Sequence, residues 1–427
     1  MPPLKTRIDN EASSTRAREK LSYGWVVAVF AAIAMVAAGN FQYTFGVFVK
    51  PLTGAFGWSR AAISMGVSIR NIVTAISSPL IGLLSDRFGP RKFMLMGIFL
   101  VGSSYLLVSR TDSLWQMYLT LGLMIGMGMP LLVVPAVATV NRWFGKKSAL
   151  ANGIVFSGFG VAQVILPPVA TWLIMRYGWE TCFVVLGIAA WIVGGIAWSF
   201  IRTAPSRTVS SDRVSVAAEG VVGAGESQDE ADSQYTLTQV LHTRALWNIV
   251  IVSIIVCICF QMIMIHIVAA ATDFGITPAA AAIILTVTGV TNTTGRLTMG
   301  FVTGKIGNKA VLVISLVVQA VALFLLVGTR ELPVFYAVCA VYGLAYGGII
   351  PLMPTIAGDY FGMKSIGPVF GVIVFANTLG GAIGPFLAGY VFDISGSYYV
   401  AFLLAAVAMA AAFLLSLLLR PPKNLER

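Results

Sequence analysis

The chain has 427 residues, of which 58% are hydrophobic and only 11% charged, with a mean hydropathy of +0.87. Soluble domains carry roughly 25% charged residues, so this composition excludes a soluble globular protein and points to repeated passage through a bilayer. The net charge of +11 would suit nucleic acid, but basic loops that orient a membrane protein give the same surplus, and only their placement decides.

In chain order, residues 1–20 are polar and of mixed charge, which is not a signal peptide, so the first apolar run is kept as a helix. Runs of spanning length follow at 24–49, 60–83, 92–109, 114–140, 148–175 and 179–201. After a break they resume at 243–271, 279–303, 309–328, 332–358, 366–391 and 397–419. The expected fold is all-α: a polytopic membrane protein with twelve transmembrane helices and both termini on one side. The break, rich in Ser, Ala, Gly and acids, reads as a solvated linker. It divides the chain into residues 1–202, a linker at 203–241 and residues 242–427. Cys182, Cys257, Cys259 and Cys339 all lie in apolar segments, so neither a disulfide framework nor a metal site is expected. No nucleophile–base pair is recognisable either, so the expectation is no enzyme and no cofactor.

Charge placement sets the orientation. With the N-terminus inside, the inner segments hold 21 of the 28 Lys and Arg and the outer segments five: Lys50, Arg60, Arg110, Arg176 and Arg330. That asymmetry favours both termini in the cytoplasm, in a cell membrane, and accounts for the basic surplus without nucleic acid. The two cations left over, Arg70 and Arg296, lie inside predicted spans, while all 17 acids fall in loops or at helix ends. Intramembrane cations are costly and face cavities or partners, so each is a functional-site candidate.

Three loop segments recur. Thr53–Ala62 (TGAFGWSRAA) matches Ala271–Ala280 (ATDFGITPAA) at a shift of 218 residues. Gly82–Lys92 (GLLSDRFGPRK) meets Gly300–Ala310 (GFVTGKIGNKA) at the same shift, and Trp143–Ser148 meets Tyr360–Ser365 with a one-residue slip. An even number of spans per copy gives parallel repeats with a binding site between them.

The segment GLLSDRFGPRK resembles the signature between helices 2 and 3 of the major facilitator superfamily. NRWFGKKSALANGIVFSG, entering the fifth span, is similar to the signature of monocarboxylate porters and oxalate–formate exchangers, and Tyr23-Gly24-Trp25 resembles that family's first motif. The resemblance implies a secondary transporter of small monocarboxylates, lactate- or pyruvate-like, coupled to protons; the runner-up is anion exchange, and a non-transporting anion receptor is a further alternative. The chain departs from the pattern in three places. Asn292 stands where animal members carry an Asp one turn before the arginine, Asn40 and Tyr43 occupy the region of a first-helix Lys, and the eleventh span offers Asn377 and no cation.

Arg296 is the expected substrate anchor, because its planar fork matches a carboxylate and keeps its charge. Thr288, Asn292 and Arg296 recur every four residues and share one helix face. Asn40, Tyr43, Tyr342, Tyr346 and Asn377, with Gln163, are expected near mid-depth, where a tyrosine packs the substrate body and orients its carboxylate. His266 is the candidate proton acceptor, its alternative being a neutral packing residue. Arg70 is either a second anion anchor or a brace. The resemblance places Asp86, Arg87, Arg91 and Gly82 in a cytoplasmic gate, with Asp86 latched to the start of the eleventh helix and Gly82 and Gly300 allowing close packing. Pro130, Pro135, Pro167, Pro168, Pro351, Pro354 and Pro385 are candidate bending points.

Overall fold

The computed structural model describes residues 4–144, 148–202, 237–361 and 366–420, and among them it contains helices and no strands. The predicted linker lies outside the described residues except for its last turn, Leu237–Leu241. Helix α1 (Leu4–Phe56) starts twenty residues earlier than the predicted span at 24. Residues 11–21 hold Ala, Arg, Glu, Lys and Leu without Gly or Pro, so helix propensity carries the coil beyond the apolar part, Tyr23–Phe56. Next come α2 (Arg60–Phe88) and α3 (Pro90–Val108). Helix α4 begins as Leu114–Met117, widens into a π segment at Tyr118–Met124 and continues as Ile125–Phe144.

The helical rod Ser148–Phe200 is interrupted by Gly178 (φ 87°, ψ 164°), which separates α5 (148–177) from α6 (179–200). Then follow α7 (Arg244–Asp273), α8 (Pro278–Ile306), α9 (Asn308–Val327), α10 (Leu332–Phe361), α11 (Ile366–Ser395) and α12 (Tyr399–Leu417). Among the described residues ten stretches are long and apolar enough to cross a membrane. One of the ten, Ala151–Phe200, spans both α5 and α6, and the Thr-rich α8 is not among them.

The repeat is written in the backbone as well as in the loop motifs. Among the described residues six glycines have positive φ, and they form three pairs, each separated by 218 residues: Gly57 with Gly275, Gly89 with Gly307, and Gly178 with Gly396. Each sits where one helix turns into the next, a conformation that costs a side-chain-bearing residue more than glycine. The same shift relates the caps of α2 and α8, where Ser59 and Thr277 accept hydrogen bonds from Ala62 N and Ala280 N. It also relates two 2.9 Å hydrogen bonds, Tyr118 Oη to Ala62 O and Tyr336 Oη to Ala280 O.

Helix α1 packs on α5, α8 on α10 and α7 on α11, while α2 meets α11, α5 meets α8 and α1 meets α7 across the repeat. Close approach depends on small residues, as in membrane bundles generally. A Cβ on Gly46 of α1 would lie 2.8 Å from the Met264 carbonyl oxygen of α7, and Gly343 and Gly347 on α10 lie against the backbones of Thr288 and Asn292. Gly82 is different: a Cβ there would meet Val134 at 3.7 Å, an ordinary contact, so the expected close packing does not require this glycine. The side chains of Gly300, Pro351 and Pro354 lie outside the described residues. The sharpest break, at Gly178, falls at none of the predicted proline bends.

Candidate functional site

Helix α8 is pinned on two sides. Gly343, Gly347 and Gly295 bring it against α10, while Thr286 Oγ1 donates to Val164 O of α5 at 2.9 Å and Gln163 packs over Gly289. Thr288 is fully buried, but its hydroxyl donates to Ile284 O at 2.7 Å and so is consumed within the helix. Further along that face two polar atoms lack partners. Asn292 is buried with no partner for Nδ2, and Arg296 is half-buried with no partner for Nε. A buried polar group left without a partner costs on the order of 1–3 kcal/mol, which marks a place where a ligand or solvent oxygen is wanted.

Two tyrosines converge on Arg296 from other helices. Tyr43 of α1 feels the charge of Arg296 first and of Arg70 as well. Tyr346 of α10 feels Arg296 and Tyr43, and its ring stacks on Phe260 of α7 with centroids 3.6 Å apart and planes 3° from parallel. Asn40, one turn from Tyr43, is buried with Oδ1 unpartnered; Tyr342, a neighbour of Tyr346, has a buried hydroxyl without a partner. The expected set therefore gathers around Arg296 through Tyr43, Tyr346 and Asn292. Asn377 on α11 is half-buried and makes no hydrogen bond to this group. Phe260 had no distinguishing signal in the sequence, because an aromatic residue in an apolar span reads the same whether it faces lipid or a ligand.

No carboxylate pairs with Arg296 among the described residues. The two ion pairs there, Arg60–Asp273 at 2.7 Å and Lys50–Asp273 at 2.9 Å, lie where α2 and α8 begin, here termed the Arg60 end. From that end inward, α2 is tied to α7 and α11 layer by layer. Asp393 of α11 accepts hydrogen bonds from Arg60 N and Ala61 N at 2.9 Å each, so its carboxylate sits on the α2 N-terminus where the helix dipole favours an anion. A Cβ on Gly389, one turn before Asp393, would lie 2.6 Å from Ala61 N, so glycine is needed for that approach.

In the next layers Ser64 faces His266, Ser68 donates to Ala382 O, and Asn71 Nδ2 donates to Gly381 O at 2.5 Å. His266 makes its hydrogen bonds in this seam. Its Nε2 lies 2.9 Å from Pro385 O, which can only accept, so Nε2 carries the proton and Nδ1 receives the Tyr398 hydroxyl at 2.8 Å.

The gate expected at the opposite end is described only in part. Arg91 stacks its guanidinium 4.7 Å from the Trp198 ring while Trp198 Nε1 donates to Arg91 O at 2.9 Å, and Arg87 is exposed beside Phe88. The side chain of Asp86 lies outside the described residues. An acid on a helix N-terminus across the repeat is present at the Arg60 end, where Asp393 meets the start of α2.

A family model described as Major Facilitator Superfamily matches residues 31–270 and 249–427. The chain belongs to the major facilitator superfamily. It is a multi-pass membrane transporter and not an enzyme. Monocarboxylate transporter 13 of Bos taurus is 27% identical over 394 residues, covering 91% of this chain and 87% of that protein. Monocarboxylate transporter 12 of Mus musculus is 23% identical over 427 residues, covering 95% and 87%. Among solved structures, a mutant of the nucleoside transporter NupG superposes with a TM-score of 0.73 at 14% identity, covering 93% of this chain and 99% of that one, a likeness of fold alone.

Proposed function

We propose that this transporter carries small monocarboxylates of the lactate or pyruvate type by alternating access, with Arg296 as the carboxylate anchor. All twelve helices cross the membrane, residues 1–202 and 242–427 rock against each other, and the termini face the cytoplasm of a cell whose plasma or inner membrane holds the protein. The observation that carries this reading is a cation without a counter-ion: Arg296 has no acid partner among the described residues and an orphaned Nε, with Tyr43 and Asn292 beside it. A carboxylate is the ligand that satisfies the charge and the free donors together. The Phe260–Tyr346 stack supplies a flat apolar wall for the short carbon body. The names of the relatives agree with this substrate class.

The coupling we propose is proton symport. Arginine cannot deliver the proton, so we assign it to His266, whose Nδ1 is the base that the Tyr398 hydroxyl now caps, with a tyrosine or the substrate itself as the other carriers. Exchange against a second anion, of the oxalate or formate kind, is favoured instead by Asn292, an amide where a proton-carrying acid would serve. Uptake of labelled lactate into proteoliposomes tests the first claim: Arg296→Lys keeps the charge but loses the fork, and uptake is expected to fall by about a hundredfold while the protein still inserts. Near-normal uptake by that variant would sink the carboxylate clamp. A pH gradient that accelerates uptake supports symport; acceleration only by trapped oxalate or formate supports exchange.

A further inference from the structure

We propose that Arg70 is a second carboxylate site, the one that captures the anion when the Arg60 end is open, before it passes to Arg296. This rests on the carboxylate reading above. Arg70 is 2% exposed, and its partners are neutral: Nη1 donates to Gln42 Oε1 at 2.6 Å and Nη2 to Asn71 Oδ1 at 2.5 Å. Its Nε has no partner. Besides these amide oxygens it meets the face of the Phe41 ring, 5.3 Å away. The buried guanidinium has no counter-ion among the described residues, and such a cation is tolerated where a second state gives it water or an anion.

Both amides belong to the seam that shuts the Arg60 end. Asn71 donates to Gly381 O of α11, and Gln42 of α1 reaches Gln261 of α7 at 3.5 Å. Every one of those bonds crosses from the first six helices to the last six. Rocking the halves apart at this end breaks them, frees the two amides and leaves Arg70 at the floor of the opened vestibule. In the closed form the amide oxygens occupy the guanidinium donors where a carboxylate would bind.

Depth orders the two cations. Helices α2 and α8 start at repeat-equivalent positions, Arg60 and Pro278, and run in the same direction. Arg70 lies ten residues in and Arg296 eighteen, a difference of about 12 Å along the axis. Tyr43 feels the charge of both arginines. An anion entering from the Arg60 end meets Arg70 first, and Tyr43 hands it on to Arg296, which stays half-exposed when the seam closes.

The test is lactate uptake by the full-length protein in membrane vesicles of both orientations. Arg70→Gln is expected to raise KM at the Arg60 face by about tenfold or more, the cost of losing a charge-assisted hydrogen bond, while KM at the opposite face rises less than about twofold. Arg70→Lys is expected to raise KM at the Arg60 face by less, because the charge remains. A fall in KM at the Arg60 face would show that Arg70 only holds the seam shut and would overturn the proposal, as would equal changes at both faces or none. If Arg70→Gln does not insert, Arg70→Lys decides by the same face selectivity. Lack of saturable lactate uptake by the unaltered protein at either face would overturn the carboxylate reading itself, an outcome distinct from those above.

Discussion

The α2–α11 and α5–α8 seams are repeat-related, and the contrast between them teaches what duplication preserves. One interaction is kept in kind: Ser68 donates to Ala382 O and Thr286 to Val164 O, and both partners are shifted by 218 residues. One layer deeper the same contact is inverted. On one side the amide Asn71 of α2 reaches the backbone of Gly381; on the other the amide is Gln163 of α5, packed over Gly289 of α8. At the Arg60 end the likeness stops. Where Arg60 and Asp393 lock α2 to α11, the repeat positions hold Pro278 and Met175, and the surface there is an open groove of about 790 Å³ lined by Pro168, Trp172, Met175, Arg176, Tyr177, Ala279 and Ile283. Backbone packing was retained in both copies, while the charged closure was built in one. A seam closed by carboxylates and cations can be released when water enters, whereas apolar packing in lipid gains nothing from water.

Three tests would break or sharpen this contrast, the largest expected effect first. Gly389→Leu puts a side chain into the Arg60 and Ala61 backbone, so the Arg60 end cannot close and lactate uptake is expected to fall by more than about tenfold. Thr171 holds the repeat-equivalent position on α5 and already carries a side chain, so Thr171→Val should leave uptake within about threefold. Equal losses from both would mean that the two seams work alike. Next, Asp393→Asn removes the carboxylate charge from the α2 N-terminus, a loss of about 1–2 kcal/mol that favours the open Arg60 end by about tenfold. A cysteine introduced at Ser64 should then react faster with a membrane-impermeant thiol reagent, and an unchanged rate would remove Asp393 from the latch. Smallest, Ser68→Ala and Thr286→Val delete the matched hydrogen bonds. Each is expected to change stability by about 0.5–1.5 kcal/mol and by similar amounts, read as a shift in thermal unfolding in detergent.

The Arg60 latch illustrates what reading along the chain misses. Asp273 and Asp393 sit at helix ends, and by position alone both count as ordinary solvated acids. Their role comes from meeting Arg60 from 213 and 333 residues away, on two different helices. His266 shows the converse. A lone histidine inside an apolar span stood out at once, but nothing near it in sequence reveals that Pro385 O fixes its tautomer or that Tyr398 caps its free nitrogen. Around Arg296 more was legible, because an intramembrane cation is rare, and Asn292 one turn away shares its face by helix period alone. That Tyr43 and Tyr346 reach it, while Asn377 makes no bond to it, depends on how α1, α10 and α11 are rotated.

By itself the amino-acid order determined the local and the periodic: apolar runs long enough to span, a 218-residue repeat and two interior arginines without interior acids. Hydrocarbon demands internally satisfied backbone and punishes bare charge, so these features show in composition and spacing. Only the tertiary structure decided which end is shut, which acids shut it, and that Arg70 rests on amides of the seam while Arg296 keeps a free donor. Those outcomes depend on helix rotation and on contacts between residues hundreds of positions apart, where a small residue such as Gly389 or Gly347 sets how near two backbones come. No pattern along one helix carries that information.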